Sequence, residues 1–282
     1  MKKSSREDFF LFRRTSTVTQ IGIALSGGAA RCIAHLSVLD VLQKAGIPIH
    51  LVAGTSGGSM VGALYASGRY TVDELIHQAS RLNWWHVTQP VMSHQGLFSS
   101  DRIGRFLHRF LGDLTFDRLA LPLAVVATDV YTGSKVVLQE GSVAKAVQAS
   151  CSLPVLFKPT ACGGRLLMDG GFVSQIPVLA ARHELAADFV IAVDVNYGGM
   201  DGRRPPRNMI QIATHMASLW SRKNAEEEGR QADYLLRVNV SGISLTDLRR
   251  GRELLQRGRQ AAESSLAELK RRLEEKGVTG GR

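Results

Sequence analysis

Leu51-Val52-Ala53-Gly54-Thr55-Ser56-Gly57-Gly58-Ser59-Met60 is the stretch from which the fold can be read. A short apolar run gives way to a serine set among glycines, and Met60-Val61-Gly62-Ala63-Leu64-Tyr65 continues as a helix. Strand, tight turn and helix in succession form the setting in which a G-x-S-x-G sequence has chemical meaning, because the turn throws the hydroxyl out from the strand end. Gly54, Gly57 and Gly58 give such a turn its room. The following helix directs partial positive charge at the same spot, where a forming anion is favoured. Ser56 is therefore the candidate nucleophile. Taken alone, the run also reads as a flexible turn, since short Gly/Ser patterns arise by chance.

Upstream, Ile21-Gly22-Ile23-Ala24-Leu25 is a buried-type strand and Ser26-Gly27-Gly28-Ala29-Ala30-Arg31 a turn of small residues. From Cys32 to Ala45 the apolar positions Ile33, Leu36, Leu39 and Leu42 recur at helical spacing, until Gly46 and Pro48 stop the helix. Strand, helix, strand, helix over the first 70 residues predicts an α/β fold with a parallel sheet covered by helices.

Downstream, Thr71 with Glu74 has the form of a capping box opening a helix. Residues 83–100 are irregular, and Trp84-Trp85 is readable as a lid over an apolar substrate or as core anchors. A helix is expected over Arg102 to Leu111, a strand over Leu121 to Val130, and a hairpin return over Lys135 to Gln139. Val143 to Ser150 is a short helix, and Arg165 to Met168 a strand that runs into Asp169-Gly170-Gly171. Val178 to Leu185 reads as a helix and Phe189 to Val195 as a central strand. A long helix then covers 207–230, and Tyr234 to Val240 is the last strand. The final helix, 247–276, gathers Leu248, Leu255, Ala262, Leu266, Leu269 and Leu273 on one side. The expected organisation is a loose basic tail over 1–19, one domain over 20–240, and a C-terminal amphipathic helix and tail over 241–282.

The 282 residues are 44% hydrophobic and 21% charged, enough to bury a substantial core. Three cysteines, Cys32, Cys151 and Cys162, have no C-x-x-C spacing and no adjacent histidine pair, which argues against a disulfide framework and a zinc site. No metal and no other cofactor is expected. Phe9-Phe10-Leu11-Phe12 is too short for a signal peptide, and no stretch approaches the ~20 apolar residues of a membrane span. A cytoplasmic protein is expected, with any membrane contact peripheral and at the inner face. The formal net charge of +10 suits an anionic surface. The arginines do not alternate with aromatics on one face and no binding motif occurs, so no nucleic acid is expected as a partner.

An acyl-transfer site needs a nucleophile, a base and donors for an oxyanion. Gly27-Gly28-Ala29, between a strand and a helix, is the candidate oxyanion hole, because such small residues leave their N–H groups open. Ligands bind at the carboxyl ends of parallel strands, where both turns open. A dinucleotide fingerprint fails, since Ala29 and Cys32 stand where glycines belong, and no Walker-type lysine follows. None of the eight histidines sits in an obvious strand-end loop late in the chain, and His183 and His215 fall within helical patterns. Asp169 ends an apolar strand before two glycines, so it reads either as a base at the sheet edge or as part of a hairpin turn.

Three segments in this order, Leu25-Ser26-Gly27-Gly28-Ala29-Ala30-Arg31-Cys32, Gly54-Thr55-Ser56-Gly57-Gly58 and Asp169-Gly170-Gly171, resemble the patatin-like phospholipases. Ala127 to Gly133, Ala149 to Pro154 and Ile176-Pro177 are similar as well. The small bacterial branch related to the esterase domain of neuropathy target esterase is the nearest in size. The resemblance implies a three-layer α/β/α fold without metal and a Ser–Asp dyad with Ser56 as nucleophile and Asp169 as base. It implies an oxyanion hole from Gly27, Gly28 and Ala29 with Arg31 beside it, supported by Gly54, Gly58, Gly170 and Gly171. The implied substrate is a lipid acyl ester, a phospholipid or lysophospholipid. The alternative is a regulatory or partner-binding protein on that fold with weak or no turnover. It is motivated by Ala29 and Cys32, where the family turn has glycines; a positive φ would strain an alanine.

Overall fold

The computed structural model describes residues 19–80, 98–199 and 207–277. The basic tail, apart from its last residue, and the Trp84-Trp85 stretch lie outside the described residues. The fold is three-layered, with helices on both faces of one mainly parallel sheet, as expected.

The two strands that open the chain, β1 (Ile21–Leu25) and β2 (Leu51–Thr55), are buried at every residue. Buried on both faces, they read as continuous apolar runs rather than alternating ones. They pair in parallel from Gly22↔Leu51 to Leu25↔Gly54. Helix α1 (Ile33–Lys44) links them, and α2 (Gly57–Ala66) leaves β2 at once. Helix α3 (Val72–Ala79) begins with the expected capping box: the Glu74 N–H donates to Thr71 Oγ1 at 3.2 Å and the Thr71 N–H to Glu74 Oε2 at 2.8 Å.

Next come α4 (Asp101–Leu111), β3 (Leu123–Asp129), β4 (Lys135–Leu138) and α5 (Val143–Ser150). Strand β5 (Thr160–Cys162) was not foreseen; it pairs antiparallel with β6 (Arg165–Asp169). After a π-helical turn at Ala180–Glu184 come β7 (Phe189–Asp194), α6 (Met209–Gly229), β8 (Tyr234–Arg237) and α7 (Gly251–Glu275). The sheet runs β5-β6-β3-β2-β1-β7-β8, with β4 also paired to β3.

Two rows of side chains explain the layers. Ile21, Ile23 and Leu25 of β1 point into the larger core, with α1, α2 and α7. On the other face Ala192, Ala24, Ala53 and Ala124 stand side by side across β7, β1, β2 and β3. That row of methyl groups lets backbone come close, and the Thr55 hydroxyl reaches the Ser174 carbonyl at 2.8 Å.

Helix α1 is buried at every residue from Ile33 to Leu42 because the sheet covers one side and α7 the other. The inner face of α7 is Gly251, Leu254, Gly258, Ala262, Leu269 and Leu273, one position out of phase at its start with the expected Leu248–Leu255 stripe. Gly258 sets that phase: a Cβ there would collide with the Ala34 carbonyl and the Ser37 hydroxyl, so the helices touch backbone to backbone. Beside this contact the buried Asp40 carboxylate receives Arg259 at 2.8 Å and Lys44 at 2.7 Å.

Candidate active site

The pairing along β3 brings the two strand ends of interest together. Val125 and Val126 pair with both β2 and β4, and Ala127 and Thr128 pair with both β4 and β6. A strand has two edges, so β2 and β6 share the one opposite β4. Thr55 is partnered by Val126 and Asp169 by Ala127, the next residue. Parallel β2 and antiparallel β6 therefore meet carboxyl end to carboxyl end, with Ser56 leaving one and Asp169 ending the other.

Ser150, at the end of α5, fills the joint. It accepts from the Ser56 N–H at 2.8 Å and donates to the Val126 carbonyl at 2.6 Å. Asp169 is fixed by its own backbone, whose N–H donates to the Ser152 carbonyl at 3.0 Å and whose carbonyl accepts from Thr128 Oγ1 at 2.8 Å. Gly170 is required because a side chain there would strike the Val126 carbonyl.

Ser56 sits at φ 50, ψ −128, a conformation that strains any residue but glycine. Its neighbours hold it there. A Cβ on Gly54 would come within 2.5 Å of the Ser59 Cα, and one on Gly58 would strike the Leu25 and Ser26 carbonyls. The Ser59 hydroxyl secures the Ser56 carbonyl at 2.6 Å and closes the first turn of α2.

The Asp169 carboxyl is fully buried, and burial raises its pKa to about 6. The hydrogen-bonding Ser56 side chain and the Gly171 N–H, at 2.8 Å, pull the other way by stabilising the charged form. A carboxyl balanced between its two protonation states, in contact with a strained serine, has the properties of a proton acceptor.

The turn after β1 faces the same place. Among the described residues the N–H groups of Gly28 and Ala29 have no acceptor, whereas that of Ala30 donates to the Leu245 carbonyl at 3.0 Å and that of Arg31 to the Gly28 carbonyl at 3.0 Å. Gly27 departs from the expected donor role: its N–H is spent on the Gln175 carbonyl at 3.0 Å. Its carbonyl accepts from Asn196 Nδ2 at 2.7 Å and Gln175 Nε2 at 3.2 Å, so Gly27 is a fixed point and the open donors are its two successors. Ala29 does take a positive φ, 47.

Arg31 does not point at the serine. Buried, it donates to the Ile243 carbonyl at 3.0 Å through Nε and to the Gly199 carbonyl at 2.9 Å through Nη2, tying the turn after β1 to the loops after β7 and β8. Cys32 packs its sulfur where a side chain on Gly57 would lie, 2.7 Å from that missing Cβ. Cys151 faces the Ser56 and Ser59 side chains, and burial pushes its thiol well up, so it stands there neutral.

Four further residues support the site without belonging to any of its motifs: Ser150, Gln175, Asn196 and His35. Ser150, Gln175 and Asn196 act across long chain separations; Ser150 and Ser56 are 94 positions apart. His35 donates from Nε2 to the Ser26 carbonyl at 2.9 Å, while its buried Nδ1 has no partner among the described residues; burial lowers its pKa to about 4. Its place inside an apolar helix face was the visible signal.

Above these groups opens a cavity of about 2530 Å³. Leu36, Met60, Leu64, Leu75, Phe106 and Phe110 supply apolar wall, and Ser56, Asp169, Gly28 and Ala29 lie in its lining.

A family model described as Patatin-like phospholipase matches residues 23–182. An uncharacterized NTE family protein of Mycobacterium tuberculosis is 33% identical over 186 residues, 65% of this chain and 51% of that protein. The protein named Lysophospholipase NTE1 of Debaryomyces hansenii is 31% identical over 212 residues, 72% of this chain and 13% of that protein. This chain thus spans about half the length of the mycobacterial relative. Among solved structures, VipD from Legionella pneumophila superposes with a TM-score of 0.51 at 14% identity, covering 88% of this chain and 67% of that one, a likeness of fold.

Proposed function

The chain belongs to the patatin-like phospholipase family, and on that premise we propose that it is a serine acyl-ester hydrolase acting on phospholipid or lysophospholipid through a Ser56–Asp169 dyad. The observation that carries the proposal is the abutment of β2 and β6, which sets the Ser56 hydroxyl against a buried carboxyl whose pKa is about 6.

Asp169 accepts the Ser56 proton as Oγ attacks the ester carbonyl. The N–H groups of Gly28 and Ala29 receive the oxyanion, and the positive end of α2 lies on the same side. Asp169 then returns the proton to the leaving alkoxide. Water, deprotonated in turn by Asp169, attacks the acyl-enzyme, and the proton passes from Asp169 to Ser56 Oγ as it leaves and the fatty acid is released. The apolar wall suits an acyl chain. The basic charge of +10 favours peripheral contact with an anionic membrane from the cytoplasmic side; no helix of the described residues is long and apolar enough to cross a membrane.

A regulatory protein without turnover is the weaker reading. Alanine enters the left-handed region at an expense of about 1–2 kcal/mol, and at φ 47 Ala29 keeps its N–H open. Fatty-acid release from a lysophospholipid and from a short p-nitrophenyl ester, by wild type and by Ser56→Ala, tests the proposal. Turnover by wild type alone supports it, and equal turnover by both rejects it.

A further inference from the structure

The outer face of α6 is apolar where a water-facing helix should be polar. Met209, Ile212 and Met216 recur at intervals of three and four, Leu219 and Trp220 follow three and four residues beyond Met216, and all five are exposed, Met209 at 84% and Met216 at 58%. Two further exposed apolar side chains, Val155 and Tyr197, line the cavity above Ser56, as do Met216 and Trp220. Among the described residues every exposed large hydrophobic side chain except Tyr131 thus belongs to α6 or to the cavity rim. An apolar patch gathered around one opening marks a contact surface.

The charges around the patch identify the partner. From Arg207 to Lys223 the sequence holds no aspartate or glutamate. Arg207 precedes the first turn of α6, and Arg222 and Lys223 close the apolar stripe. Arg222 reaches Glu226 at 3.2 Å, while Arg207 and Lys223 make no ion pair among the described residues. An apolar stripe bounded by cations and free of acids is the pattern of a helix that lies in the interface of an anionic bilayer.

Helix α6 is firmly held, one of its anchors being a residue of the exposed face itself, so the face is presented rigidly. Trp220 Nε1 and Asn224 Nδ2 donate to the Phe172 carbonyl at 2.9 and 2.6 Å, and Glu228 accepts from Ser174 Oγ at 2.6 Å. These bonds brace the segment that follows Asp169.

We propose that the Met209–Trp220 face of α6, with the flanking Arg207 and Lys223, docks the protein on an anionic lipid surface and seats the mouth of the Ser56 cavity against it. The inference deepens the lipid-ester reading and rests on it for what enters the cavity, not for the surface itself.

Co-sedimentation tests the surface, using vesicles of equal phosphatidylcholine and phosphatidylglycerol beside vesicles of phosphatidylcholine alone. Wild type and Ser56→Ala are expected to bind the anionic vesicles equally and to release with salt. Ile212→Glu/Leu219→Glu changes two residues outside the cavity lining and is expected to weaken binding at least about tenfold. Hydrolysis of lipid in vesicles should fall with it, while a soluble short ester is cleaved at the wild-type rate. Ile212→Trp/Leu219→Trp, which keeps the face apolar, is expected to bind at least as well as wild type. Unchanged vesicle binding by the glutamate variant, or no binding by wild type, overturns the proposal. So does a wild-type dimer that the glutamate variant breaks while vesicle binding persists, since the face would then cover a second copy. Binding that depends on α6 with neither ester hydrolysed upholds the surface and removes the hydrolase reading instead.

Discussion

Ser56 and Asp169 meet because two strands end on consecutive residues of a third: Thr55 is partnered by Val126 and Asp169 by Ala127. Their contact is thus a consequence of sheet register and does not depend on the flexibility of either side chain. Changes at the joint should therefore affect chemistry and stability separately.

The strain at Ser56 is the first place to look. Alanine in its place inherits φ 50, ψ −128, whereas glycine adopts these angles freely. Ser56→Gly should be more stable than Ser56→Ala by about 1 kcal/mol, after allowing for the greater unfolded freedom of glycine. Both should lack turnover. Thermal unfolding of the pair measures the difference, and a less stable glycine variant would show that the turn is not strained.

Asp169→Asn should lose turnover and gain stability. Holding the charged carboxylate in a buried site at neutral pH opposes folding by at most about 3 kcal/mol, from the distance between ~3.9 in the unfolded chain and the folded pKa, which is about 6. The amide carries no such penalty, so its Tm should rise by about 2–6 °C. In wild type the same pKa predicts a kcat/KM for a short ester that climbs with pH through about 6 and then levels.

Two buried groups titrate in the same range with opposite effects on stability. Asp169 has its folded pKa raised to about 6, so its favourable contribution is complete below the unfolded value and is lost as pH rises through about 6. His35 has its folded pKa lowered to about 4, so the unfolded chain takes up its proton first and stability is lost as pH falls from ~6.5 toward about 4. Relative to wild type, Asp169→Asn should therefore lose stability more steeply on acidification. His35→Gln keeps a donor for the Ser26 carbonyl and should lose it less steeply. Urea unfolding of the three proteins at several pH values checks both signs.

The parallel sheet was legible in the sequence because strands buried on both faces, such as Ile21–Leu25 and Phe189–Asp194, read as uninterrupted apolar runs. Ser56, Asp169 and the turn after β1 were legible because their glycines mark places where backbone nearly touches backbone. What sequence spacing could not carry was register. Strand β5 has only three residues, with no apolar run of its own, and exists by pairing with β6. The expected stripe on the last helix favoured Leu255 over Leu254, because the close approach at Gly258 adds no hydrophobicity to a pattern. The roles of Ser150 and Asn196 depend on partners 94 and 169 positions away.

Gly258 yields a prediction for the helical layer. Gly258→Val puts a branched side chain against the Ala34 carbonyl and the Ser37 hydroxyl and must part α7 from α1. A loss of several kcal/mol, on the order of 3, is expected from overpacking and lost burial of Leu254 and Leu269. Gly258→Ala should lose less. Chemical denaturation measures both, and a neutral valine variant would contradict the backbone contact.

The measurement closest to the central claim is covalent trapping of the nucleophile. An alkyl fluorophosphonate should lose fluoride and bond through phosphorus to Ser56 Oγ, with Asp169 taking the proton. Peptide mass spectrometry should find the adduct on the peptide carrying Ser56. It should be absent in Ser56→Ala and should form far more slowly in Asp169→Asn. An adduct on any other residue, or none on a folded protein that still releases fatty acid from a lysophospholipid, would contradict the account.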